Sequence, residues 1–360
     1  MTRRLLISLC CALGLLLAAC TTDANENEPD DVAAGTDAAA DPATGAATDA
    51  EAVAQGDEEE DEGGEGGGGG ADPADLTIAM VTHGDAGSFW SVAKTGAEDA
   101  AAAMGVSLSY QESNNDPEAQ AQLIETAVSQ GVDGLAVSAP NPDAIAGAVQ
   151  SAVDAGIPVI TLNSGVDSYQ DFGAITHVGQ TERIAGEQAG ERLAEEGGTK
   201  LLCVIHEQGN VGLQERCDGA GETFGGEVEN FQVTGTGDVS TTLTELQTKL
   251  STDTDVDAVL ALNPDIAVAA RDAVAAAGSE ALLATFDLSG EVVSSIEAGE
   301  ILFAVDQQQY LQGYLPVVFL TLFNTNANTA GGGQPVLTGP GFVDASNAAT
   351  VADLAEQGTR

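Results

Sequence analysis

The sequence predicts an α/β fold of two similarly built lobes, each a parallel sheet flanked by helices. Three observations carry this. From residue 77 onward, short apolar runs alternate with longer amphipathic ones, the pattern of parallel strands joined by helical crossovers. One stretch of that pattern, 132–163, returns at 256–287 with the same punctuation. The body, roughly Leu76 to Arg360, is also long enough for two domains.

Taken in order, TIAMV (77–81) reads as the first strand. The helix after it shows an apolar face at Val92, Ala93, Ala97, Ala100 and Met104, and Gly105 closes it. VSLSYQ (106–111) is the next strand. Asp116-Pro117-Glu118 then supplies an N-cap with proline in the first turn, followed by Leu123, Ile124, Ala127 and Val128 before Gly131. VDGLAVSAPNPDAIAGAVQSAVDAGIPVITLN (132–163) gives strand, helix and strand. Its echo, VDAVLALNPDIAVAARDAVAAAGSEALLATFD (256–287), repeats Val-Asp, an apolar strand, Asn-Pro-Asp, an alanine-rich helix, Ala-Gly and a strand ending on a polar residue. Any two such units share a rhythm, but here Val-Asp, Asn-Pro-Asp and the terminal Asn163 or Asp287 fall in matching places. Ligands of open α/β sheets bind beyond the carboxyl ends of the strands, so facing lobes bring Asn163 and Asp287 into one cleft. A later apolar run ends on Asp306 and meets three glutamines in AVDQQQYLQGY (304–314). Amides beside an aspartate can grip by hydrogen bonds but do not readily exchange protons. The tail DASNAATVADLAEQGTR is poorly fixed by the sequence, and a short helix is one reading of it.

The chain begins MTRRLLISLCCALGLLLAACTT. Arg3 and Arg4 precede an apolar run, Leu5 to Ala19, too short to cross a bilayer as a helix, so 1–19 is expected to be an export signal. Two adjacent arginines are common in ordinary signals, and general export is favoured over the twin-arginine route. Export accounts for the cysteines. Cys10 and Cys11 leave with the signal, and Cys203 and Cys217 remain as an even pair in an oxidising compartment, where a disulfide is favoured slightly over two buried thiols. From Cys20 to about Asp75 the chain is Ala, Gly, Thr, Asp and Glu, including DEEEDEGGEGGGGG (57–70). It holds too little apolar surface to offset ordering entropy and is expected to be a disordered tether, spanning on the order of 40 Å.

The formal charge is -47, from 57 acids against 10 lysines and arginines. Nucleic acid is therefore excluded as a partner, since phosphates demand a basic surface. Long-range capture of an anionic ligand is equally disfavoured. Such acidity suits a salty environment, where screening removes the self-repulsion. Chemistry-bearing motifs are absent: no Walker loop, nucleophile elbow or HExxH occurs, and the glycine run at 64–70 has no strand before it or helix after it. Asp253, Asp255 and Asp257 alternate like a calcium loop, but Ala258 stands where the turn glycine belongs, so they read as a solvated loop. No metal, no cofactor and no enzymatic activity are expected. A hydrolase using His83 or His206 with Asp85 or Glu207 is the minority reading.

At this point the residues resemble a family. LAAC (17–20) resembles the cleavage box of bacterial lipoproteins, which implies a diacylglycerol on Cys20 and a membrane anchor. Residues 77 to 343 resemble the type I periplasmic sugar-binding proteins of ABC importers, similar to ribose-binding protein. The carriers are TIAMVTHGDAGSFWSVAKTGAEDAA, IPVITLN, HVGQTERIAGEQAGERL, HEQGNVGLQERCDG, ALNPDIA, TFDLSGEVVSSIEAGEILFAVDQQQYLQGY and VLTGPGFV, strong in their order and spacing together. The resemblance implies two Rossmann-like lobes joined by three crossings, near Gly179, Asp306-Gln307 and Phe342, closing about a hinge. It implies an N-terminal lobe of 76–179 and 307–341 and a C-terminal lobe of 180–306 and 342–360. It further implies a monomer that carries a small neutral sugar or polyol to a membrane permease, or, alternatively, a ligand-sensing receptor for chemotaxis or signalling.

Carried over by position, Phe89 and Trp90 match an aromatic pair that faces a sugar ring, though as the start of an amphipathic helix they also suit a core. Arg216 matches an arginine that donates to sugar oxygens. Asn263 and Asp287 match strand-end residues of the second lobe, with helix capping the alternative for Asn263. Asp306 and Gln307 belong to the second crossing, and His83, His206 and Gln307 are expected to join the site. The chain departs from the ribose pattern at Asn163-Ser164, where Asp-Arg would stand, at Ser138 after the third strand, at His83 for a small hydroxyl residue, and near Gly237, where a second aromatic is missing. The departures weaken ribose and leave room for another monosaccharide or a linear polyol.

Overall fold

The computed structural model describes residues 70–84 and 87–360. The signal, Cys20, the tether as far as residue 69, and Asp85 lie outside them. The first half of the body runs β1 (Thr77–Thr82), α1 (Ser88–Met104), β2 (Ser107–Glu112), α2 (Pro117–Gln130), β3 (Gly134–Ser138), α3 (Pro142–Asp154), β4 (Val159–Asn163) and β5 (His177–Gly179). The second runs α4 (Glu182–Glu195), β6 (Lys200–Ile205), α5 (Val211–Phe224), β7 (Glu227–Gln232), α6 (Val239–Thr252), β8 (Ala258–Ala261), α7 (Pro264–Ala277), β9 (Leu282–Phe286), α8 (Gly290–Glu297) and β10 (Phe303–Asp306). The chain ends with α9 (Gln309–Asn326), β11 (Val336–Leu337), β12 (Gly341–Asp344) and α10 (Ala352–Glu356).

These strands form two sheets of six, ordered β2-β1-β3-β4-β5-β11 and β7-β6-β8-β9-β10-β12. The two orders correspond strand for strand, and β3-α3-β4 and β8-α7-β9 are the two copies of the sequence repeat. Every pairing is parallel except β10 with β12. Helices cover both faces of each sheet, so β3, β4 and β8 are buried along their whole length and read as continuous apolar runs. The α/β architecture of two lobes is as the sequence predicts.

Local chemistry sets the helix ends. Asp116 accepts from the Glu118 and Ala119 amides at 3.0 Å, with Pro117 behind it, and Gly131 ends α2 in the left-handed region. In each lobe two helices cross closely at glycine. A Cβ on Gly313 of α9 would run into the Ala93 carbonyl of α1, and one on Gly186 of α4 would run into the Arg216 carbonyl of α5. The α4–α5 pair is further fixed to its sheet by the Cys203–Cys217 disulfide, which joins β6 to α5 across a Cα separation of 5.8 Å.

The chain changes sheet between β5 and α4, between β10 and α9, and between β11 and β12. Residues 70–75, expected to belong to the tether, are partly docked. Pro73–Asp75 form one short helical turn capped by Asp72, and the Ala71 amide reaches the Asn324 carbonyl. Asp253 and Asp257 are more than solvated loop acids. Asp257 accepts the Thr199 and Lys200 amides at 2.8 Å, and Asp253 pairs with Lys200 and Lys249. Among the described residues no helix is long and apolar enough to cross a membrane, and no cluster of three or more His, Cys, Asp or Glu could hold a metal ion.

Candidate ligand-binding cleft

The carboxyl ends of both sheets converge on one cavity. It offers about 30 Å³ to the centres of water molecules.

From the first sheet come His83 after β1, Phe89 and Trp90 on the first turn of α1, and Asn163 and Ser164 at the end of β4. Phe89 and Trp90 are edge-to-face at 4.9 Å and 4% exposed, packed on Ile78 and Met80 while still facing the cavity. The pair is thus part of the core and part of the cavity wall at once. His83 meets the Trp90 ring edge-on at 4.8 Å. Ser138, expected in the wall, lies behind His83. Its Oγ accepts the His83 amide at 2.9 Å and meets Nδ1 at 2.8 Å, so it orients the ring and has no face left for the cavity.

The second sheet contributes His206 and Glu207 after β6, Asn210 and Leu213 around the start of α5, Arg216, Leu262, Asn263 and Asp287. Arg216 is 4% exposed, donates from Nε to Glu182 at 2.5 Å and from Nη1 to the Leu262 carbonyl at 3.2 Å, and lies 4.4 Å over the Phe286 ring. Burial works against its charge, but Glu182, Asp287 and Glu207 outweigh it and raise its pKa. Asn263 caps α7 through Oδ1, accepting from the Asp265 amide at 2.8 Å, while its Nδ2 donates no hydrogen bond among the described residues. Capping and site membership are compatible.

Asn163 and Asp287, the two ends of the sequence repeat, both adopt positive φ, 60° and 67°. Short polar side chains tolerate that conformation better than most, and it occurs where the backbone must turn sharply into a site. Asp287 is 2% exposed; Oδ2 accepts from Gln307 Nε2 at 3.0 Å, while Oδ1 has no hydrogen-bond partner among the described residues. Burial pushes this carboxyl up to about 7, against the pull of Arg216 and Gln307.

The glutamine run ties the crossings together. Gln307 Oε1 accepts from Gln312 Nε2 at 2.9 Å and lies 3.5 Å from Asn163 Nδ2, so one amide chain links Asn163 to Asp287. Gln308 donates to the Thr338 carbonyl at 2.6 Å, and Gln309 to that of Leu288 at 3.1 Å. Asp306, expected in the wall, is fully buried behind it. Its carboxylate accepts the Gln308 amide at 2.8 Å and pairs with Arg360 at 2.7 Å, since a buried acid at a chain crossing needs a local partner more than an open face.

The cavity thus gathers His83, Phe89, Trp90, Asn163, His206, Arg216, Asn263, Asp287 and Gln307 of the expected set, and leaves out Ser138 and Asp306. Sequence reasoning missed Asn210 and Leu213 in the wall and the supporting Glu182. The signals were present: Asn210 stands before the helix carrying Arg216, and Glu182 opens α4 one turn before Gly186, where α4 and α5 touch.

The periplasmic binding protein domain family matches residues 78–322. A carbohydrate transporter from Acidothermus cellulolyticus, solved in complex with myo-inositol, is 45% identical, with a TM-score of 0.78 over 79% of this chain and 99% of that one. The ribose import binding protein of Haemophilus influenzae is 28% identical over 67% of this chain and 83% of its own length. A xylose/arabinose-binding protein of Sulfolobus acidocaldarius is 25% identical over 68% of this chain, and the match spans 65% of that relative. Fold, topology and sequence agree: the chain belongs to the periplasmic binding protein family, as a type I member of the ribose-binding-protein-like group.

Proposed function

We propose that this protein is the binding component of an ABC importer for a small neutral polyhydroxylated ring, with a cyclitol of the myo-inositol kind as the first candidate. The observation that carries this reading is the inventory of the cavity. The cavity is walled by an aromatic pair, several amides, one buried cation and, in Asp287, a carboxylate with an oxygen unused among the described residues. Ring hydroxyls both donate and accept, so a polyol can satisfy Asp287 Oδ1, Asn263 Nδ2 and the Arg216 guanidinium together. Strong net negative charge favours a neutral cargo over an anionic one. The high identity to a transporter solved with myo-inositol supports a cyclitol over ribose, as does the loss of the ribose-type Asp-Arg at Asn163-Ser164. A hydrolase is disfavoured because both nitrogens of His83 are engaged by the protein.

The lobes of this reading are 76–179 with 307–341 and 180–306 with 342–360, hinged where the chain changes sheet and closing on the ligand before delivery to the permease. A lipid on Cys20 would hold the protein at the outer face of the membrane, the acidic tether giving it reach. The test is calorimetric titration of the full chain with myo-inositol, ribose, xylose, arabinose and xylitol, with Trp90 emission as a second readout. Saturable binding of myo-inositol with a shift in emission is expected. No binding of any of the five, with an unchanged melting temperature, overturns the reading.

A further inference from the structure

Two carboxylates face the cavity, and their hydrogen bonding divides their roles. Asp287 has one oxygen without a hydrogen-bond partner among the described residues. Glu207 is surrounded. Its Oε2 accepts from Asn210 Nδ2 at 2.6 Å and lies 3.5 Å from His83 Nε2; its Oε1 lies 3.2 Å from Asn115 Nδ2, with that amide turned to donate, and 3.9 Å from His206 Nε2. Three of these donors lie within hydrogen-bonding reach and His206 does not, so most of the roughly four lone-pair sites of the Glu207 carboxylate are committed to protein partners. Asn210 and His206 share the second sheet's side with Glu207, whereas His83 and Asn115 follow β1 and β2 of the first.

We infer that Glu207 is a positioning residue, the latch that holds the cleft shut, its carboxylate seated between His83 and Asn115 of the opposite lobe. This rests on the reading of the protein as a hinged binder. The receiving side is built in advance by bonds that do not cross the cleft. Ser138 pins the His83 ring. Asn114 and Asn115 both take positive φ, 53° and 58°, and their amides bond the Gly84 and His83 carbonyls at 2.9 and 2.8 Å, which aims Asn115 at the cleft. Opening would break the two contacts to Glu207 and leave this receiving side intact. Beside them the Val211 amide crosses to the Pro140 carbonyl at 3.0 Å, closing the same rim, and Glu207 separates the central cavity from a smaller space bounded by Asn115, Gln120 and Asn141. Burial disfavours the charge on Glu207, yet His83, His206 and Asn210 outweigh it and bring the carboxyl down to about 2. The titratable and charged groups facing it are His83 from the first lobe, and His206 and Arg216 from its own.

The test uses the full chain with spin labels at T126C on α2 and T248C on α6, both exposed sites. Glu207→Gln is expected to move the ligand-free distance distribution toward the open form. With myo-inositol as probe, it should raise the dissociation rate roughly ten-fold or more with little change in association. Asn115→Ala should act in the same direction and add little to Glu207→Gln, since both remove one contact. A carboxylate depressed on closing favours the closed form above its ordinary value of 4.5 and loses that advantage as pH falls toward 2. Wild type should therefore lose closed population on acidification, and Glu207→Gln should lack that component, which a merely structural residue would not show. If myo-inositol fails to bind wild type, the proposed cargo falls and the ligand-free distances alone decide the latch. A distribution unchanged by Glu207→Gln overturns it whether or not the ligand binds.

Discussion

At the scale of single residues, the site depends on buried charges whose partners are unevenly supplied. Arg216 is held by Glu182 at 2.5 Å with both side chains almost wholly buried. Removing one member of such a pair leaves the other uncompensated, so Glu182→Ala should cost about 3–5 kcal/mol in urea unfolding. Asp287 works in the other direction. Its carboxyl is harder to ionise in the folded protein, about 7 against an ordinary 3.8. The ligand-free protein is therefore not penalised below about pH 4, loses stability as pH rises toward about 7, and stays reduced above that. Asp287→Asn should remove this slope, so its ligand-free melting temperature should gain on wild type between about pH 4 and pH 8, while calorimetry shows affinity for the ligand falling at least ten-fold. A higher ligand-free stability bought by weaker binding would mark Asp287 as a residue kept for its ligand.

At the scale of elements, the two close helix crossings set where the site residues stand. Gly186 of α4 lies against the Arg216 carbonyl, so the backbone that carries the arginine is located by the absence of a side chain. Gly186→Ala should push α5 away, costing about 1–3 kcal/mol by overpacking and weakening ligand binding together with it; urea unfolding and calorimetry on one variant measure both. The Cys203–Cys217 bridge restrains the same helix over a separation of 14 residues. A loop of about this length is worth about 3 kcal/mol in the chain-entropy account, and reduction should lower the melting temperature accordingly.

At the scale of the whole molecule, closure brings acids together as well as partners. Glu215 on α5 of the second lobe faces Asp167, on the loop after β4 of the first. Burial, then Asp167 and Glu182, raise the Glu215 carboxyl from 4.5 to about 7, with Arg183 pulling against them. Opening the lobes withdraws Asp167, so closure is unopposed below about pH 4.5 and opposed increasingly as pH rises to about 7. Ligand affinity should fall several-fold from about pH 5 to about pH 8, and Glu215→Gln should flatten that fall. An identical pH profile in the variant would remove the pair from the account of closure.

The sequence by itself determined the fold class and the duplicated plan, which follow from local rules: apolar periodicity, Asn-Pro-Asp at a helix start, and a polar residue where a parallel strand ends. Its resemblance to a family implied most of the cavity wall. Asn163 and Asp287 were legible because the repeat marks them, and Arg216 because it matches an arginine of the resembled family and is one of few cations in so acidic a chain. Tertiary structure alone decided which polar residues face the cavity and which stand behind it. Ser138 and Asp306 sit at strand ends like their neighbours, but one is consumed by His83 and the other by Arg360. The place of Glu207 was equally hidden, because its partners His83 and Asn115 are far away in sequence and meet it only across the cleft. A carboxylate's role is set by how many donors reach it, and that number exists only once the chain has brought distant elements together.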